Sequence, residues 1–264
     1  MPSVSIVLPT RNRPAMLLDA LRSLARQTHL ELELVLVRDG GEPLSDEARA
    51  ELDRLEFPAR VLEHDDPPQG LAASRNLGIR EARADAVAFL DDDDFWVPEH
   101  VKRLSDALDR DADVDVAYSD ARIWLVSSSG AEEAEAQRET LVIAQPFDPA
   151  VFRRDSFIPP SAMAARRSAF EVHGLFDTEL PYSEDWEWLL RVLRGGGKIV
   201  RAPAVTATIR IHPGGLSQLT PERAADRKRS LETIASRYRL APLVPKTFWE
   251  VARDLCPGRN ASTR

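Results

Sequence analysis

Asp91-Asp92-Asp93-Asp94 follow directly on the apolar run Ala86-Val87-Ala88-Phe89-Leu90 and are closed by Phe95-Trp96-Val97-Pro98. A short apolar run ending in a turn reads as a buried strand, so the carboxylates should stand at its C-terminal end, where open α/β sheets bind ligands. Like charges packed so closely repel, and a hard divalent cation with oxygen ligands is the usual means of holding them together. The chemistry such a cation supports is neutralisation of a phosphate. An acidic, solvated turn is the plainer alternative, and the tetrad alone does not separate the two.

Further candidates follow other apolar runs. Pro9-Thr10-Arg11-Asn12-Arg13-Pro14 comes after Val4 to Leu8, where a dinucleotide-binding protein carries its glycine fingerprint and a P-loop enzyme its Gly-Lys-Ser/Thr. Neither is present, which weakens the dehydrogenase and NTPase readings. Val37-Arg38-Asp39-Gly40-Gly41 sets one carboxylate beside two permissive glycines, so that Asp39 either accepts hydrogen bonds from a base or ribose or caps a turn. Gly70 to Ile79 opens a helix with small residues and then places Arg75, which can pair with an anion or stack on a ring, and Asn76. Glu184 and Asp185 begin a helix after Ser183, positions that also suit ordinary capping, and a helix start lowers a carboxylate's pKa and weakens it as a base. His212, before Pro213-Gly214-Gly215, is a competent metal ligand or simply a packed histidine, and the glycines after it suit a hinge. His29, His64, His100 and His173 have no partner at metal spacing.

Positioning these groups requires a sheet. Strand patterns at Val4–Leu8, Leu32–Val37, Ala59–Glu63 and Ala86–Leu90 alternate with helical patterns at Pro14–Gln27, Ser45–Leu55 and Leu71–Ala82. That alternation predicts a mostly parallel sheet covered on both faces. A helix over Pro98–Arg110 and a strand over Val114–Tyr118 extend it. Ile123–Val126 and Thr140–Ile143 read as the arms of a hairpin whose tip, 127–139, is mobile. Phe147–Pro160 reads as an ordered loop, Glu184–Leu193 as a helix stopped by Gly195-Gly196-Gly197, and Pro221–Tyr238 as a charged helix. Phe248, Trp249, Val251, Ala252 and Leu255 share a helical face that packs on the body or, on a sharper reading, adheres to a membrane or a second copy. The last eight residues should fray.

Composition narrows the class. With 264 residues the chain has ample material for a buried core, and a formal net charge of −8 argues against a general nucleic-acid binder, which gains affinity from clustered Lys and Arg. The single cysteine, Cys256, excludes an internal disulfide and a cysteine-based metal site, which fits a reducing cytoplasm. No basic leader with an apolar core opens the chain, and no stretch approaches the roughly 18 apolar residues of a membrane span, so any work at a membrane, such as its inner face, is expected to be peripheral.

Taken together these blocks resemble the inverting glycosyltransferases of family 2, in that family's order and spacing: Pro9-Thr10-Arg11-Asn12, Asp39-Gly40, Ala73-Ser74-Arg75-Asn76-Leu77-Gly78 and Phe89 through Trp96, then Gly174-Leu175-Phe176-Asp177 and Ser183 through Arg191. The likeness covers roughly residues 2 to 215. Arg38, where the family commonly has another aspartate, and Gly41, where it often has serine, depart from it. The resemblance implies a GT-A fold, an α/β architecture whose mostly parallel, Rossmann-like nucleotide-binding sheet is joined to a smaller mixed acceptor-side region. Residues 1–96 would form the donor half, 97–220 the acceptor half of the same domain, and 221–264 a C-terminal helical tail. It implies a nucleotide-sugar donor, UDP-linked by family habit, with Pro9, Thr10, Arg11, Asp39 and Arg75 around the nucleotide. Asp91-Asp92-Asp93 stands at the family's Asp-x-Asp position, where Asp91 or Asp92 meets ribose and Asp93, with Asp91, binds Mn²⁺ or Mg²⁺. His212 matches a segment that supplies an extra metal ligand in some members. Asp185 falls at the catalytic base, with Glu184 positioning it or the acceptor. The acceptor would be a glycan, a glycolipid or another hydroxyl compound, and Phe157 to Ser161 resembles a segment lining its cleft.

Two other classes are weighed against this. Sugar-nucleotide pyrophosphorylases carry a glycine-rich loop after the first strand, and here no glycine precedes Gly40; a phosphatase would need an aspartate there. A nucleotide-sugar-binding protein without transferase activity needs no base, so Asp185 beside the tetrad argues for the enzyme.

Overall fold

The computed structural model describes residues 3–29, 31–64, 67–126, 139–215 and 220–255. The hairpin tip expected at 127–139 falls almost wholly outside them, as do Cys256 and the terminal residues expected to fray.

The first half is the expected alternation: β1 (Val4–Thr10), α1 (Pro14–Leu24), β2 (Leu32–Arg38), α2 (Asp46–Asp53), β3 (Ala59–Glu63), α3 (Leu71–Glu81) and β4 (Ala86–Phe89). The strands pair in parallel in the order β3-β2-β1-β4. β1 and β4 are buried along their whole length, as strands covered on both faces must be, whereas β3 alternates between exposed and half-buried at the sheet edge. Val7 pairs with Val35 on one side and Phe89 on the other, and this register brings Thr10, Asp39 and Asp91 to one edge of the sheet.

The chain continues through β5 (Phe95–Trp96), α4 (His100–Asp109), β6 (Val114–Leu125), β7 (Glu139–Ile143), α5 (Pro149–Phe152), β8 (Met163–Arg166), α6 (Arg167–His173), α7 (Glu184–Arg194), β9 (Lys198–Ile211), α8 (Pro221–Tyr238) and α9 (Phe248–Leu255). One sheet runs β3-β2-β1-β4-β8-β6-β9-β5, with β7 beside β6. β8 is antiparallel to both β4 and β6, so the second half is mixed. The two strands expected at 114–118 and 123–126 are one, because the polar Ser119-Asp120 between them is buried in the sheet, with Arg201 paired to Asp120 at 2.6 Å. The arms of the hairpin form as expected, Ala121 opposite Ile143 and Leu125 opposite Glu139.

Two contacts hold α3 in place. A Cβ on Gly78 would lie 2.4 Å from Val7 Cγ1, so only a glycine lets this helix approach β1 so closely. Asn76 donates to the Phe176 carbonyl and accepts from its N–H, both at 2.9 Å, which ties the Ser74-Arg75-Asn76 block to the Gly174–Asp177 block 100 residues away. The C-terminal helices join the body: Leu231 and Ile234 of α8 and Val251 and Ala252 of α9 are buried in the main core, with Phe248, Trp249 and Leu255 packed against it. The plainer of the two expectations for that face therefore holds. No helix among the described residues is long and apolar enough to cross a membrane.

Candidate active site

The tetrad divides its labour. The Asp92 carboxylate, 4% exposed, turns inward and accepts from Thr10 Oγ1 at 2.8 Å, the Arg11 backbone N–H at 3.3 Å and Arg13 at 2.9 Å, so it fastens the loop after β1. Burial, with the neighbouring Asp93 charge, pushes its pKa up to about 6 against the pull of Arg13. Asp94 is buried as well; Ser161 Oγ donates to it at 2.6 Å and the Arg210 backbone N–H at 2.9 Å, while its own N–H closes a turn onto the Asp91 carbonyl. Burial and the Asp93 and Asp91 charges raise its pKa well above the carboxylate range.

Asp91 and Asp93 remain partly open to the cleft. Asp93 pairs with Arg13 at 2.8 Å and lies 3.1 Å from His212 Nε2. Burial works against its charge, yet the His212 hydrogen bond and the Arg13 and Arg210 charges outweigh it and hold its pKa below the usual value. Asp91 accepts from Arg75 at 2.5 Å. Arginines therefore answer much of the repulsion that the bare sequence left to a cation.

Arg75, 1% exposed, also pairs with Glu184 at 2.5 Å, so one buried guanidinium joins the end of β4 to the start of α7. Ser183, just before α7, has φ 62 and gives the helix no side-chain cap. A left-handed serine costs on the order of 1–3 kcal/mol and is held by its surroundings. Burial pushes Glu184 up to about 7, with the Asp185 and Asp91 charges adding and Arg75 opposing. Asp185 is raised too, by burial first and by Asp91, although Arg75 and the backbone N–H groups at the helix start pull the other way. The expected weakening of this carboxylate by the helix start is real in sign but smaller than the desolvation.

Pro9, Arg13, Arg75, the tetrad, Glu184, Asp185 and Arg210 line one cleft. Thr10 and Arg11 line a neighbouring cavity with Arg38, Gly40 and Ala48; Thr10 is committed to Asp92, and Arg11 is exposed. Both Asp39 oxygens accept backbone N–H groups, from Gln69 at 2.7 Å and Gly70 at 3.0 Å, which is the turn-capping arrangement, with lone pairs to spare. Arg38 donates to the Gly41 and Glu42 carbonyls and to Glu63, so this departure from the family pattern shapes the loop after β2.

Oxygens of Asp91, Asp93 and Asp94 come within 4.8 Å of one another. His212 Nδ1 faces the Pro213 carbonyl at 3.0 Å, and its Nε2 faces Asp93. With Nδ1 donating to the Pro213 carbonyl, Nε2 can meet a cation as a lone pair only on giving up the proton it shares with Asp93. Carboxylate oxygens with one imidazole fit a divalent cation such as Mn²⁺ or Mg²⁺. Arg210 is a site residue that no sequence motif flagged, and Arg13 and Ser161 stood in flagged segments without a role of their own.

Comparison with known proteins places these observations. The family model described as Glycosyl transferase family 2 matches residues 5–174. Over 245 residues the chain is 28% identical to YwdF of Bacillus subtilis strain 168, an uncharacterized glycosyltransferase, covering 93% of this chain and 87% of that one. Among solved structures, S. aureus TarS 1–349 in complex with UDP-GlcNAc superposes with a TM-score of 0.65 at 19% identity, covering 89% of this chain and 66% of that one. The mannosyltransferase PcManGT from Pyrobaculum calidifontis, in complex with GDP-Man and Mn²⁺, does so at 0.63 and 17%, covering 89% and 64%. At such identities the two superpositions speak to the fold.

Proposed function

The chain belongs to glycosyl transferase family 2 and has its GT-A fold, and on that premise we propose that it is a metal-dependent, inverting transferase moving a sugar from a nucleoside diphosphate, UDP before others, to a hydroxyl acceptor. The observation that carries the reading is the single cleft in which Arg75 joins Asp91, of the acidic cluster, to Glu184, next to Asp185. The donor nucleotide lies along the ends of β1, β2 and β4, against Pro9, Thr10, Arg11, Asp39, Arg75, Asp91 and Asp92. TarS binding UDP-GlcNAc and PcManGT binding GDP-Man with Mn²⁺ support the donor class, and leave UDP and GDP as the bases to separate.

Asp93, Asp91 and His212 would hold the cation, with Asp94 behind them. When bound, such an ion supplies Lewis-acid stabilisation of the charge that builds on a departing diphosphate. Arg210 adds positive charge to the cleft wall from the protein, and one of its buried guanidinium nitrogens has no hydrogen-bond partner among the described residues. Asp185 takes the proton from the acceptor hydroxyl as that oxygen attacks the anomeric carbon opposite the leaving group, which inverts the configuration. Its raised pKa suits a base more than a purely structural cap. Glu184, fixed by Arg75, orients the start of α7.

Calorimetric titration with UDP, dTDP and GDP, each with manganese and with EDTA, tests this directly. One nucleotide should bind tightly, lose its affinity in EDTA, and lose it equally in Asp93→Ala, whose melting temperature stays near that of the parent. Manganese-dependent affinity that survives Asp93→Ala removes the tetrad from the mechanism.

A further inference from the structure

Asp93 Oδ2, an oxygen of the acidic cluster, already meets two nitrogens. Arg13 Nη1 lies 2.8 Å from it and His212 Nε2 3.1 Å, and the same Nη1 reaches Asp92 Oδ1 at 2.9 Å. One guanidinium nitrogen therefore spans two successive carboxylates. A divalent ion on either oxygen of Asp93 comes beside that guanidinium, where the two positive charges repel and draw on the same carboxylate. The cation and Arg13 cannot both hold Asp93 at full strength.

The other cleft arginines are placed differently. Arg75, 1% exposed, is fixed between Asp91 and Glu184. Arg210 directs its donors to the Asp93 backbone carbonyl and to Asp19 rather than to the Asp93 carboxylate. The Arg13 side chain is 26% exposed, stands in the loop between β1 and α1, and lines the cleft. It can move without undoing that loop. Thr10 Oγ1 and the Arg11 N–H hold Asp92 independently of it, and Asn12 Oδ1 accepts from the Glu42 N–H at 2.8 Å. Arg13 also precedes α1 without giving the helix a side-chain cap.

Resting on the transferase reading above, we infer that Arg13 is the internal counter-ion of the acidic cluster: it competes with the divalent cation for Asp93, and it passes to the donor's diphosphate when cation and nucleotide bind together. Phosphate oxygens accept guanidinium N–H groups in charge-assisted pairs, so a diphosphate offers Arg13 a partner comparable with the carboxylates it leaves. A cation that arrives alone displaces Arg13 into water. A cation that arrives with a diphosphate does not, so Arg13 favours loading of the two as a pair and disfavours the naked ion.

The test is titration of Mn²⁺ into the full chain with and without UDP, the free ion being read by EPR. Arg13→Gln should bind Mn²⁺ alone about tenfold tighter than the parent, and the factor by which UDP improves Mn²⁺ affinity should shrink by about tenfold or more. Chelation of Mn²⁺ by UDP in solution is common to both proteins and cancels in the comparison. The sign is decisive, because a residue that only braces the loop would weaken both ligands when removed, whereas a competitor tightens one. A melting temperature near the parent's shows the loop intact. Should Arg13→Gln melt below the assay temperature, Arg13→Lys, whose ammonium lacks the planar fork, should give the same sign at about threefold. Nucleotide-free Mn²⁺ affinity that is unchanged or weaker in both variants overturns the inference. Mn²⁺ that fails to bind the parent even with UDP would instead overturn the metal-dependent donor reading.

Discussion

A carboxylate that is to accept a proton from a hydroxyl works best when its own pKa lies near the working pH. Desolvation brings Asp185 and Glu184 in that direction, and for Glu184 as far as about 7. Since the base must be ionised to act, kcat/KM should rise with pH through the titration of this pair and fall away on the acid side, well above where an ordinary carboxylate of pKa about 4 would place that limb. Asp185→Asn should cost on the order of 10²- to 10⁴-fold in kcat while retaining UDP affinity. A pH–rate profile flat from about pH 5 to 8, or near-full activity of the asparagine variant, would remove the pair from the chemistry. The carboxylates of this site were legible because they sit in contiguous blocks beside recognisable strand ends. Arg13, Ser161 and Arg210 were not: each reaches a tetrad member from about 70 to 120 positions away in sequence, and an isolated arginine or serine in a turn has the same local pattern whether it meets water or a buried aspartate.

Among the elements, α7 is pinned from outside as well as from the cleft. Glu187, 1% exposed, accepts from Arg191 of its own helix and from Arg237 and Tyr238 of α8. Burial opposes its charge, but these donors outweigh it and lower its pKa. A depressed folded-state pKa means that the stabilisation is present above the unfolded value of about 4.3 and is lost as pH falls through the lower folded value. Glu187→Gln should therefore cost about 2 kcal/mol at neutral pH, a drop of roughly 4–8 °C in melting temperature, and much less near pH 3. Equal losses at both pH values would mean that shape, not charge, matters at this position. The long elements were readable from period and composition. β5, with two residues, and β8, with four, are too short to show a period, and β6 was read as two strands because its buried Ser119-Asp120 looks like a break until Arg201 is seen beside it.

Across the whole molecule, the region read as a tail is structural. Ending the chain at residue 220 would uncover Leu231, Ile234, Val251 and Ala252 together with the core face they cover. Burying side chains of this kind contributes about 1.5–3 kcal/mol each for the larger ones, which is a large share of a typical stability of 5–15 kcal/mol. The truncated chain should aggregate or melt far below the parent in differential scanning calorimetry; a cooperative transition at the parent's temperature would return these helices to the status of an appendage. The apolar face of α9 was visible in the sequence, but the surface it meets is made by β6 and β7, which no local pattern identifies, and α8 read only as a charged helix.

Arg75 has a wider consequence. It is a single cation with no solvent to make up a lost partner, held between Asp91 on one side and Glu184 on the other. Any ligand that draws on Asp91 alters the field at Glu184, and any ligand that draws on Glu184 alters Asp91 by the same free energy, because linkage between two sites is reciprocal. The two substrates of such a cleft are not filled independently: the occupancy of one is written into the affinity for the other.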